Sequence, residues 1–161
     1  TYPNNDAGSR FIIEQLVMLS RLDWVGFRLV KSLGRKKFHG LLAKADNSPG
    51  SVICLGNSSA FLKETPMFRC PAVILGGRQK GRLQADNILD GGDQVSTVVG
   101  AVELGVTHEF YAQKLRYLEN PYGTPGVGRR AAKILTGLVL ADKLVNKKMT
   151  LVGEESEGWH R

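Results

Sequence analysis

Two short apolar runs, Val52-Ile53-Cys54-Leu55 and Ala72-Val73-Ile74-Leu75, constrain the fold of this chain more than any other feature. Each is apolar at every position, the pattern of a strand buried on both faces rather than one half-facing water. Each also stops abruptly at glycine. Gly56-Asn57-Ser58-Ser59 follows the first run, and Gly76-Gly77-Arg78-Gln79-Lys80-Gly81-Arg82 follows the second. The segment between them predicts a short helix from Ser58 to about Thr65. Strand, helix and strand in that order form the parallel crossover unit. In an open parallel sheet the carboxyl ends of the strands share one rim, where ligands bind. A small polar turn and a glycine-flanked basic cluster therefore meet on that rim.

The rest of the chain alternates in the same way. Phe11, Ile12, Leu16, Leu19 and Leu22 recur at helical spacing, with Asp6 or Ser9 as N-cap. Residues 25–30 read as a strand and residues 36–44 as a short amphipathic helix. The segment Asp46-Asn47-Ser48-Pro49-Gly50 is a turn by composition. A weaker strand is predicted over Asn87 to Leu89, then helices capped by Asp93 and by Thr107, the second running to about Leu118. A Pro/Gly loop over 119–128 precedes a last helix from Arg129 to about Asn146. The expected fold class is α/β, a Rossmann-like parallel sheet with helices on both faces. Residues 1–147 form one domain and 148–161 a polar tail.

A net charge of +7 on 161 residues favours acidic ligands in general. It does not single out nucleic acid, because there is no long basic run and the tightest clusters (35–37, 78–82, 129–130) are short. The apolar stretch over 134–141 is too short for a membrane span. Cys54 and Cys70, each beside apolar strand residues, read as buried reduced thiols, so a reducing, cytoplasmic setting is the default.

On the rim, hydroxyls and backbone N–H groups at Ser58 and Ser59 suit an anion. The Glu64 carboxylate suits a ribose diol, and the guanidinium groups of Arg78 and Arg82 suit phosphate oxygens. Together they match a nucleoside diphosphate. Tyr122, in the loop Asn120-Pro121-Tyr122-Gly123, either covers a ligand or packs on its own domain. His39, His108 and His160 read as exposed, with no partner for acid–base work. No Ser/His/Asp or Cys/His arrangement and no metal-type spacing is visible, so no metal or cofactor is expected.

With these residues assembled, the chain resembles the C-terminal half of the hydrolysing UDP-N-acetylglucosamine 2-epimerases. A PN-x-DAG turn is matched by Pro3, Asn4, Asp6, Ala7 and Gly8, and a GNSS stretch by Gly56 to Ser59, with Glu64, Pro66 and Phe68 in place after it. A G-x-RQ-x-GR stretch is matched by Gly76, Arg78, Gln79, Gly81 and Arg82, continuing to Asn87 and Asp90. The NPYG loop is Asn120 to Gly123. The family's third serine and following glycine are replaced here by Ala60 and Phe61, which removes a hydroxyl and adds bulk close to the phosphate position.

The resemblance implies one half of a two-domain GT-B-like fold with UDP, or a UDP-sugar, in the cleft. Ser58 and Ser59 would hold the diphosphate, Glu64 the ribose hydroxyls, and Arg78 the pyrophosphate side. Ser32-Leu33-Gly34 would present backbone to uracil, with Leu33 and Gly34 touching the base. Asn57, Gln79 and Asp6 complete the implied UDP contacts. The implied reaction converts UDP-N-acetylglucosamine and water to N-acetylmannosamine and UDP, feeding sialic-acid-type sugars. Its acid–base carboxylates and His-Pro motif would lie outside this chain, on an N-terminal domain or partner subunit within a homo-oligomeric enzyme. The domain is also expected to lack its first strand, and the chain alone to be inactive. The alternatives are a degenerate half-domain acting as an interaction module, and a glycosyltransferase relative of the same architecture.

Overall fold

The computed structural model describes residues 8–22 and 26–138 of the chain. They fall into two compact units, divided between Gly123 and Thr124. The expected boundary at 147/148, the polar tail and Asp6 all lie outside the described residues.

The first unit is built on three parallel strands in the order β1-β2-β3: β1 Cys54–Gly56, β2 Ala72–Leu75 and β3 Ile88–Gly92. Before the sheet come α1 (Ser9–Ser20) and α2 (Gly34–Asn47). Helix α3 (Ser59–Glu64), continued by a 3₁₀ turn over Thr65–Phe68, joins β1 to β2. Helices α4 (Val95–Gly105) and α5 (His108–Phe110) follow β3, and a π-turn over Tyr111–Leu115 continues α5. The second unit holds α6 (Val127–Thr136), entered at Gly126 with φ 94°.

The register explains why the second apolar run is largely buried. The first, expected to be buried on both faces, is not: Leu55 is 49% exposed on β1, an outer strand of the three. Cys54 stands opposite Ala72, and Ala72 opposite Ile88, so these three side chains share one face. There they pack with Leu42 and Ala45 of α2 and with Cys70, flanked by Phe38, Val52, Phe61 and Phe68. The next residues along, Val73 and Leu89, turn to the opposite face. Helix α4 closes that side, its Gly105 lying against Ile53, Leu89 and Pro71. A sheet covered twice by helices is the α/β, Rossmann-like arrangement expected. Leu42, Leu62 and Val73 are almost wholly buried, each worth roughly 1.5–3 kcal/mol of transfer free energy.

One buried polar knot ties the crossover to the sheet. Asn87, fully buried, donates from Nδ2 to Thr65 Oγ1 and to the Cys70 carbonyl, both at 2.7 Å. Thr65 Oγ1 in turn donates to the Phe61 carbonyl. These bonds satisfy backbone groups at the end of the 3₁₀ turn that the helix cannot reach.

Several sequence expectations need correction. Residues 26–30 show no strand, although their side chains alternate in exposure. Alternation describes half-burial, and a strand also needs a neighbour's hydrogen bonds, which residues 26–30 do not receive from any strand among the described residues. Asp93 does not cap α4; the N-cap is Gln94, without a side-chain bond. Nor does Ser9 cap α1, whose entry is Gly8 at φ 80°. Thr107 does cap α5, accepting from Phe110 N–H at 3.1 Å. Helix α2 extends three residues beyond the expected Lys44, to Asn47.

Candidate functional site

The carboxyl ends of β1 and β2 carry the two signature loops, and one side chain joins them. Gln79, only 2% exposed, donates from Nε2 to the carbonyl oxygen of Asn57 at 2.6 Å. A residue expected to touch ligand is instead turned inward, where it fixes the basic loop against the serine turn. Its Oε1 is buried and has no partner among the described residues. Gln79 also borders a small cleft of about 50 Å³ at the end of β2, lined in addition by Gly76, Lys80 and Asp90. The cleft is far smaller than a typical small-molecule pocket.

On the serine side, Ser58 is the N-cap of α3, its Oγ accepting from Ala60 N–H at 3.3 Å. A hydroxyl that accepts there keeps its own hydrogen to donate outward. Ser59 is the first residue of α3, half-exposed. Asn57 is exposed and offers its side chain to solvent while its carbonyl is held by Gln79.

Phe61 packs inward, against the core cluster beside Phe38 and Phe68. Its Cε2 lies 3.2 Å from where a Cβ on Gly56 would be, and Gly56 has φ 149°. A residue with a side chain at position 56 would meet both the ring and a strained backbone. The bulk at 61 is therefore absorbed inward, under the turn.

Arg78 is exposed in the loop after β2. Alongside that loop, Tyr122 donates its hydroxyl to the Leu83 carbonyl at 2.8 Å. Asn120 Oδ1 accepts from Tyr122 N–H at 3.0 Å, which closes the Asn-Pro-Tyr-Gly turn. Of the two readings of Tyr122, the one in which it packs on its own domain holds, and it brings a fourth motif beside the basic loop.

Leu33 and Gly34 open α2. Gly34, at φ 65°, donates its N–H to Ser32 Oγ at 3.2 Å. The first turn of α2 holds Arg35, Lys36 and Lys37 and no acidic residue. That charge opposes the helix dipole and is electrostatically eased by an anion.

Further along α2, His39 overturns its reading as an exposed histidine without a partner. Its Nε2 lies 2.5 Å from Glu64 Oε2, with the two side chains 28% and 37% exposed. The imidazole rests between Phe38 and Phe68, at centroid distances of 6.1 and 5.3 Å. The pair spans 25 residues of sequence, so no local pattern reveals it. The one available signal was that position 39 adjoins the buried Phe38–Leu42 stripe of α2.

Cys54 and Cys70 are both free and buried, as expected. The Cys70 thiol hydrogen-bonds with Cys54 and is held above the ordinary thiol range by that bond and by burial.

A parallel sheet with two glycine-ended loops on its carboxyl rim places the chain among Rossmann-like α/β proteins. It matches the family described as UDP-N-acetylglucosamine 2-epimerase over residues 1–136, and it belongs to that family. Among curated relatives, it is 30% identical over 145 residues to the hydrolyzing UDP-N,N'-diacetylbacillosamine 2-epimerase of Legionella pneumophila, covering 90% of this chain and 35% of the relative. It is 40% identical over 65 residues to the GDP/UDP-N,N'-diacetylbacillosamine 2-epimerase (hydrolyzing) of Campylobacter jejuni, covering 39% of this chain and 15% of that one. A UDP-N-acetylglucosamine 2-epimerase of Neisseria meningitidis is 28% identical over 102 residues, covering 63% and 25%. The chain thus spans about a third or less of the length of these relatives.

Proposed function

We propose that this chain is the UDP-binding part of a hydrolysing UDP-sugar 2-epimerase. The observation that carries the reading is the Gln79–Asn57 bond, which holds the serine turn and the basic loop side by side at 2.6 Å. Ser58 and Ser59 hydroxyls, with Arg78, face the diphosphate; Glu64 accepts the ribose hydroxyls; Ser32-Leu33-Gly34 presents backbone to uracil. In the reaction, a base removes the C2 proton of the sugar as the C1–O bond to UDP breaks, giving a glycal. Water then adds at C1 and a proton returns to C2 on the other face, releasing the 2-epimeric free sugar. The groups proposed here act on the leaving group: they neutralise the charge that grows on the departing diphosphate. The acid and base belong to another domain or subunit.

The sugar is N-acetylglucosamine or N,N'-diacetylbacillosamine. The Legionella relative, aligned over 90% of this chain, favours the second. A cytoplasmic enzyme supplied with nucleotide sugars fits the reading. No helix among the described residues is long and apolar enough to cross a membrane.

Isothermal calorimetry of the full chain with UDP tests the proposal. Saturable heat that is lost in the double variant Ser58→Ala/Ser59→Ala supports it. A folded chain giving no heat at millimolar UDP overturns it. A non-catalytic interaction module is the second reading, favoured by α1, which buries none of its residues and exposes Phe11 at 64% and Met18 at 60%. Failure to bind UDP, together with solubility only on co-expression with a second polypeptide, would favour that module.

A further inference from the structure

We infer that His39 is a positioning residue for nucleotide recognition: it sets the Glu64 carboxylate for the ribose and couples the start of α2 to the end of α3. The inference rests on the reading of Glu64 as the ribose acceptor, and it adds a residue that the motif pattern does not contain.

An ionised carboxylate only accepts hydrogen bonds, so the 2.5 Å contact between Nε2 and Oε2 makes Nε2 the donor. A carboxylate offers about four acceptor positions. His39 takes one, and a vicinal diol can still donate to two others. What the bond removes is rotation. A glutamate at a helix end has three side-chain torsions and swings freely in water, whereas one held by an imidazole presents its carboxylate in a single plane.

The imidazole is itself immobilised. Phe38 lies beside it in sequence, at 43° between the ring planes, and Phe68 meets it from the 3₁₀ turn at 49°. Both phenylalanines pack on the core cluster. The chain of contact therefore runs from the core through two rings to the imidazole and on to a carboxylate that is still 37% exposed. A purely packing role at position 39 needs a ring but no nitrogen. Here the nitrogen points at the one acidic side chain proposed to meet the ribose.

The contact also bridges two parts of the proposed site. His39 lies five residues along α2 from Gly34, whose loop is proposed to receive the base. Glu64 is the last residue of α3, which begins at Ser59. The base and ribose contacts, and the serine part of the diphosphate contacts, thus come from the ends of two helices pinned to each other at this bond. Arg78 joins them from the loop after β2.

Two variants separate positioning from packing. His39→Phe keeps the ring between Phe38 and Phe68 and deletes the donor. His39→Gln places an amide N–H close to the position of Nε2 and deletes the ring. Calorimetry on the full chain would use UDP and 2'-deoxy-UDP, with Glu64→Gln as the reference. The wild type is expected to prefer UDP by about tenfold. His39→Phe should weaken UDP about tenfold and bring the two ligands close to parity, as Glu64→Gln does, while His39→Gln should keep most of the preference. In nucleotide-free protein, Glu64→Gln should shift the ¹⁵N resonance of His39 Nε2.

Wild-type preference retained in a folded His39→Phe overturns the inference alone, and so does a His39 resonance that ignores Glu64→Gln. A wild-type chain that binds no UDP, while the His39 resonance still responds to Glu64→Gln, overturns the nucleotide reading and the inference with it.

Discussion

A hydrogen bond between the two buried thiols lowers Cys54 from the ordinary thiol range and, together with burial, raises Cys70 above it. A thiol kept protonated in the fold favours the folded state below the ordinary thiol range. As pH rises through that range the unfolded chain ionises and the fold does not, so the contribution is lost. Cys70 should therefore contribute a fall in the denaturant midpoint as pH rises from about pH 8 to about pH 10, against the opposite trend from Cys54, whose thiol is lowered. Cys70→Ala should flatten that fall relative to wild type; an unchanged slope would refute it. At this scale the sequence was an uneven guide. That Cys54 and Cys70 are buried followed from their apolar neighbours, but that Gln79 faces inward did not, because a basic glycine loop suggests only exposure. His39 was misread for a related reason: its partner is fixed by the packing of α2 on the crossover, which no local pattern encodes.

The turn between α2 and β1 shows how tightly the elements are set. Gly50 has φ 81°, and a Cβ added there would lie 2.5 Å from the Val106 carbonyl oxygen at the end of α4. Backbone cannot swing aside as a side-chain tip can, and the left-handed conformation adds its own strain. Gly50→Ala is expected to lose about 2 kcal/mol or more, read as a lowered urea midpoint with an unchanged slope. Gly40→Ala, at a helical glycine with open space around it, should instead be neutral or stabilising. The elements most legible in the sequence were β2 and α3: the first is apolar throughout, and the second begins with a serine that accepts a cap bond. Residues 26–30 defeated the same reasoning, since a two-residue alternation says how a segment is exposed but not which neighbour it pairs with. Helix α2 ran past its expected end because Ala45, almost fully buried, carries the apolar stripe of Leu42 a turn further.

Across the whole chain the net charge of +7 acts as a field and not as a site. Its effect on a dianionic ligand should be screened by salt, the Debye length shrinking from about 10 Å at 0.1 M to about 3 Å at 1 M. UDP affinity is expected to drop several-fold between these conditions while uridine affinity barely changes; equal salt sensitivity for both ligands would show that charge plays no part in recognition. The order of the motifs was readable because the epimerase pattern recurs in register through Asn120-Pro121-Tyr122-Gly123. Their convergence was not, since the tyrosine hydroxyl that joins the fourth motif to Leu83 reaches across 39 residues. The bond between Gln79 and Asn57 has one more consequence, for how the two loops can evolve. It reads a side chain at one end and only backbone at the other. Position 57 can therefore vary in side chain without loosening the pair of loops, whereas almost any change at 79 releases both. In a saturation library selected for folding, tolerance should be broad at the asparagine and narrow at the glutamine, and a drifting lineage would lose its rim at residue 79 first.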